Sequence, residues 1–69
     1  IGDRKMELYE TGEYKEAFIN EFIAWFNHEI GTDYEINPGE KDGTYYILFL
    51  ELEPDEVEKI REYENSCTA

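Results

Sequence analysis

Residues 38–53 read PGEKDGTYYILFLELE, and the architecture of the chain turns on them. From Tyr45 to Leu50 nothing is polar except two tyrosine hydroxyls; from Leu50 to Glu53 apolar and acidic residues alternate. Successive strand side chains point to opposite faces, so this run is a strand with an apolar surface on both sides. Glu40–Gly43 reads as a type I turn with Gly43 at the left-handed position, the form of a three-residue hairpin loop with a bulge. The partner strand is DYEIN (33–37). That loop length places Tyr34 and Ile36 on the face of Tyr46, Leu48, Leu50 and Leu52, the face expected under a helix. The other face then carries Tyr45, Ile47 and Phe49, with Asp33, Glu35, Glu51 and Glu53 beside them.

A helix is predicted over 13–30, EYKEAFINEFIAWFNHEI. At 100° per residue Tyr14, Phe18, Ile19, Phe22, Ile23, Trp25, Phe26 and Ile30 fall within roughly half its circumference. Thr11 is the expected N-cap and Gly31 the expected residue past the C-terminus. A second helix is predicted from Pro54 to Asn65, with proline in its first position and Asp55 and Glu56 at its positive end. Its apolar stripe is thin: Val57, Ile60 and Tyr63. KMELYE (5–10) reads as a short strand, with a helical turn leading to Thr11 as the alternative. The fold class is therefore α+β: a small antiparallel sheet, built on a hairpin over 33–53 with a third strand near 5–10, packed against a long helix. The chain reads as one small domain over 1–69, frayed at 1–5 and 66–69. One long helix cannot cover both faces of such a sheet.

Composition narrows the function. A chain of 69 residues buries only about 60% of the surface its unfolded form exposes, so association is a common aid to stability. The lone Cys67 excludes an internal disulfide. Six basic against 18 acidic residues give a net charge of −12, yet 41% of residues are hydrophobic and eleven are aromatic, a composition that folds. The negative field opposes direct binding to nucleic acid or to anionic membranes. With no apolar run near twenty residues and no signal-peptide pattern, a soluble cytoplasmic protein is expected.

Catalytic chemistry has little to work with. His28 lies on the polar half of the first helix, and Cys67 has no histidine near it in sequence to lower its pKa. Phosphate-binding glycine motifs and the H-E-x-x-H zinc motif are absent. Glu51 and Glu53 pair along a strand, with Asp33 and Glu35 across from them, but the spacing of a calcium loop is missing. No enzymatic activity, cofactor or metal is expected.

The acids are spread through the chain in rows. Two apart on a strand they stand roughly 6–7 Å from each other, similar to charge along a nucleic-acid backbone. Tyr45, Ile47 and Phe49 flanked by Glu35, Glu51 and Glu53, with Asp55 and Glu56 following, make an aromatic centre with an acidic rim, the layout of a protein interface. The expected partner is a basic protein with a nucleic-acid-binding site. In size and charge the chain resembles the small acidic inhibitors that phages make against host nucleases and CRISPR effectors, a resemblance of composition that implies nucleic-acid mimicry in the host cytoplasm. The alternatives are a homodimeric interaction domain, and an antitoxin or immunity protein that neutralises a basic nuclease.

Overall fold

The computed structural model describes residues 6–68. Its elements are β1 (Glu7–Glu10), β2 (Tyr14–Lys15), α1 (Glu16–Glu29), β3 (Tyr34–Pro38), β4 (Thr44–Leu52) and α2 (Pro54–Thr68). The α+β class is as expected, and β1 settles the ambiguous segment as a strand. β4 is central: β3 lies along one side, while β1 and β2 lie end to end along the other, all antiparallel to it. The expectation of fraying at 1–5 lies outside the described residues. At the other end α2 continues past Asn65 to Thr68, whose hydroxyl donates to the Glu64 carbonyl at 2.8 Å.

The hairpin register differs from the expected one by a single residue. Gly39 N–H donates to the Thr44 carbonyl (2.9 Å), and Thr44 N–H to that of Lys41 (3.1 Å), so residues 40–43 form the loop, with Gly43 at φ +81°. This loop is one residue longer than the predicted one. Tyr34 consequently pairs with Phe49, Ile36 with Ile47 and Pro38 with Tyr45. A one-residue slip exchanges the two faces of a strand. Ile47 and Phe49 therefore point at the helices and are 0% exposed, whereas Tyr46, Leu48 and Leu50 point away from them. The sequence reading had these faces reversed.

Leu52 is buried as expected, but for a different reason. Glu7 pairs with Leu52 and Tyr9 with Phe49, so two steps along β1 match three along β4. This β-bulge is absorbed at Glu51, whose φ of +53° lies in the left-handed region. The extra residue shifts the alternation and returns Leu52 to the inner face, where it is fully buried.

α1 and α2 both pack on that inner face. The core joins Ile19, Phe22 and Phe26 of α1, Ile47, Phe49 and Leu52 of β4, and Val57 and Ile60 of α2. Ring contacts run through it: Phe26–Phe49 at 4.3 Å, Phe22–Phe49 at 5.6 Å and Phe22–Tyr63 at 4.9 Å between centroids. Trp25 and Tyr63 stack at 4.1 Å with 13° between their planes, joining the two helices side by side. Each such pair adds about 0.5–1.5 kcal/mol beyond area burial. The thin stripe of α2 thus suffices because α1 covers the rest of the face. α1 begins at Glu16 rather than Glu13, with Lys15 as its N-cap, because Tyr14 and Lys15 pair with Tyr45 and Thr44. Gly31 ends it as expected, at φ +79°, its N–H donating to the Phe26 carbonyl at 2.9 Å.

Two outcomes test this register. Phe49→Ala is expected to cost about 3–5 kcal/mol in urea denaturation, as a large cavity at the centre of the core. Leu48→Ala, next to it in sequence but on the open face, is expected to cost about 1 kcal/mol or less by the same measurement. Equal losses would contradict the face assignment. At the bulge, Glu51→Val is expected to lose about 1–2 kcal/mol, since a β-branched residue fits the left-handed region poorly, while Glu51→Gly is expected to hold or raise the urea midpoint.

Candidate functional site

Two places outside the apolar core gather polar or unpartnered groups: a buried carboxylate where the first strands meet α2, and the face of the sheet that no helix covers.

The carboxylate belongs to Glu64, only 7% exposed. Tyr9 Oη donates to its Oε1 at 2.6 Å, while Gly12 N–H (2.8 Å) and Tyr14 Oη both donate to its Oε2. A second bulge makes this convergence possible. Glu10 pairs with Leu48 and Tyr14 with Tyr45, so four steps on the β1–β2 side match three along β4. The extra residue brings Tyr14 to the same inner face as Tyr9. At the break Thr11 substitutes for the ladder: its N–H donates to the Ile47 carbonyl (3.0 Å), and its hydroxyl accepts from Ile47 N–H (2.9 Å). Thr11 is thus committed to the sheet and does not cap α1. Burial first, then the hydrogen bond to Glu64 and its charge, push the Tyr9 hydroxyl up to about 12; burial followed by the same two influences raises Tyr14 as well. The three donors come from within the chain and the carboxylate is closed from solvent, so the group fastens α2 to the broken edge strand. The sequence reading missed Glu64. Its signal was a glutamate continuing the helical spacing of Val57 and Ile60.

The uncovered face carries the column Tyr46, Leu48 and Leu50 on β4, with Leu8 of β1 opposite the bulge. Leu8 is 64% exposed and Met6, just before β1, is 52% exposed, whereas Tyr46, Leu48 and Leu50 are half-buried by their neighbours in the sheet. Leu48 sits between two cross-strand glutamates, Glu10 on β1 and Glu35 on β3, both exposed. Among the described residues neither carboxylate enters an ion pair. Lys59 pairs with Glu29 (3.3 Å) and Arg61 with Glu58 (3.2 Å), both on the helices. This is an aliphatic and aromatic centre between fixed negative charges.

The residues proposed from sequence as one surface are divided by the structure. Tyr45, Ile47 and Phe49 belong to the inner face; Ile47 and Phe49 are sealed in the core, and Tyr45 is half-buried beside it. Glu35 lies on the open face and Glu51 is exposed at the bulge. Glu53 precedes α2, and its N–H donates to Glu56 Oε1 at 2.9 Å, a capping contact. Asp55 and Glu56 line a cleft of about 470 Å³ between the helices, with Glu29, Glu58, Glu62, Lys59 and Ile30. The acidic rim therefore faces two directions, and the apolar anchors next to Glu35 are Leu8, Tyr46, Leu48 and Leu50.

Among the described residues no group of three or more His, Cys, Asp or Glu side chains is arranged to hold a metal ion. His28 and Cys67 are exposed, and among the described residues no helix is long and apolar enough to cross a membrane. No protein-family model, curated protein or solved structure matches the chain.

The Glu64 junction gives a pH prediction. A tyrosine free of such contacts ionises near 10, so in the unfolded chain Tyr9 loses its proton about two pH units earlier than in the fold. The stabilisation is complete below pH ~10 and is lost as pH rises from there through ~12. Tyrosinate absorbance of the native protein is expected to show a late-titrating fraction, shared by Tyr9 and Tyr14, that Tyr9→Phe reduces and that denaturant moves to the ordinary range. A native titration with every tyrosine ionising near 10 would rule out this junction.

Proposed function

We propose that this is a non-enzymatic binding protein that docks through the helix-free face of its sheet onto a basic, nucleic-acid-handling protein and blocks it. The observation that carries the reading is the column Tyr46–Leu48–Leu50 with Leu8, flanked by Glu10 and Glu35, which enter no ion pair among the described residues. Apolar residues at the centre of an interface supply affinity once water is excluded, and charges at its rim supply steering and specificity. With a net charge of −12 behind it, the face is attracted to lysine- and arginine-lined sites built for phosphates. Such a protein acts as a nucleic-acid mimic in the manner of phage inhibitors of nucleases and CRISPR effectors, in the host cytoplasm. An antitoxin or immunity protein against a basic nuclease uses the same surface in the same way.

The reading is tested with a panel of basic nucleases and nucleic-acid-guided effectors. The expected result is a complex that weakens steeply as salt rises, is competed by DNA or RNA, and is lost in Leu48→Glu with the helical circular dichroism unchanged. Truncation of Leu48 to alanine is expected to cost about 2 kcal/mol of binding, roughly thirtyfold in affinity. Binding that ignores salt and survives Leu48→Glu would end the proposal. So would a homodimer in light scattering that Leu48→Glu dissociates, because the face would then be taken by a second copy.

A further inference from the structure

The outer side of β3 carries a second feature, distinct from the open face. Leu50 N–H donates to the Asp33 carbonyl (3.0 Å), and Gly39 N–H to the Thr44 carbonyl (2.9 Å). In an antiparallel ladder the N–H and C=O of one residue point the same way and successive residues alternate. Residues 33, 35, 37 and 39 therefore serve the ladder with β4, and Tyr34, Ile36 and Pro38 aim their backbone groups outward. Among the described residues β3 pairs with no strand but β4. The free edge offers donors at Tyr34 and Ile36 and acceptors at Tyr34, Ile36 and Pro38. Beside it Ile36, 46% exposed, forms with Ile19, Asn20, Glu16 and Tyr45 the wall of a cavity of about 140 Å³. An apolar cavity of similar size, ~150 Å³, holds a benzene molecule, so there is room here for one aliphatic side chain.

We propose that this edge takes up an extended segment of another protein as an added β-strand, with an aliphatic side chain in the cavity and lysine or arginine on either side of it. The backbone supplies the pairing and the cavity selects the side chain, as in other strand-addition sites. A residue placed opposite Ile36 shares its face of the sheet and so lies over the cavity. The charge of the segment follows from Glu16 and Glu35, both exposed and outside any ion pair among the described residues. A second copy would bring the same acids and another net charge of −12 to the edge, which favours a basic segment over self-pairing. The backbone edge and the cavity lie off the face of Leu48, and only Glu35 is shared with it, so the inference stands whether or not that face binds a nuclease.

The test uses the full chain, a synthetic peptide of alternating lysine and valine, and amide hydrogen exchange followed by NMR. Slowed exchange at Tyr34 and Ile36, with shift changes around Ile19 and Tyr45, is the expected result. A peptide with its backbone nitrogens methylated on the pairing side is expected not to bind. Ile36→Pro removes an outward N–H without touching the β3–β4 ladder, and is expected to weaken binding about tenfold. Should that variant fold poorly, Ile36→Lys keeps the backbone while placing a cation in the cavity mouth, and is expected to weaken binding as well. Equal binding of the methylated peptide would overturn the proposal in favour of charge attraction alone. Protection of the same amides by raising the protein concentration without peptide would overturn it in favour of a second copy.

Discussion

The structure depends on which way the side chains of β4 point. Ile47, Phe49 and Leu52 form a single inward column, and both helices, the aromatic contacts and the tyrosine–glutamate junction are arranged around it. Alternation along one strand cannot by itself put those three on the same side, because 47 and 49 share a parity that 52 does not. The bulge at Glu51 supplies the missing step. A glutamate accepts the left-handed backbone there because the surrounding fold holds it: Leu52 is sealed in the core immediately after it, and β1 pairs on either side of the bulge.

The same device appears on the facing strand. An extra residue around Gly12 brings Tyr14 back to the side of Tyr9, and the two hydroxyls meet the carboxylate of Glu64. A buried carboxylate is costly unless its oxygens are satisfied, and the backbone N–H of Gly12 supplies the third donor. α2, whose apolar stripe is short, is therefore held at its far end by charge-assisted hydrogen bonds and nearer its start by Val57 and Ile60. This explains how a helix with little grease stays docked on a small domain.

With both helices on one side, the sheet has a single covered face. Among the described residues no element forms a second layer, and the apolar column of Tyr46, Leu48 and Leu50 is left between Glu10 and Glu35. In the proposed reading this exposed apolar centre is where a partner docks. The acids beside it bias the choice of what docks, and the free edge of β3 adds a backbone surface on the same domain. The proposed activity is therefore that of a surface, with no reacting group assigned to it.

Much of this was legible in the chain. The amphipathic period read over residues 13–30, of which 16–29 are helical, the glycine that ends α1, the proline and acids that open α2, the hairpin and the α+β class all follow from local preferences, as does the conclusion that apolar strand surface exceeds what one helix can cover. What only the tertiary structure decided is which surface that is. A hairpin loop of four residues instead of three moves Ile47 and Phe49 into the core and Leu48 out of it, and local turn preferences scarcely separate the two lengths. The choice falls to packing: this register sets Phe49 against Phe22 and Phe26 and seals Ile47 in the same core. Glu64 was hidden for the same reason, since its three donors come from residues fifty or more positions away.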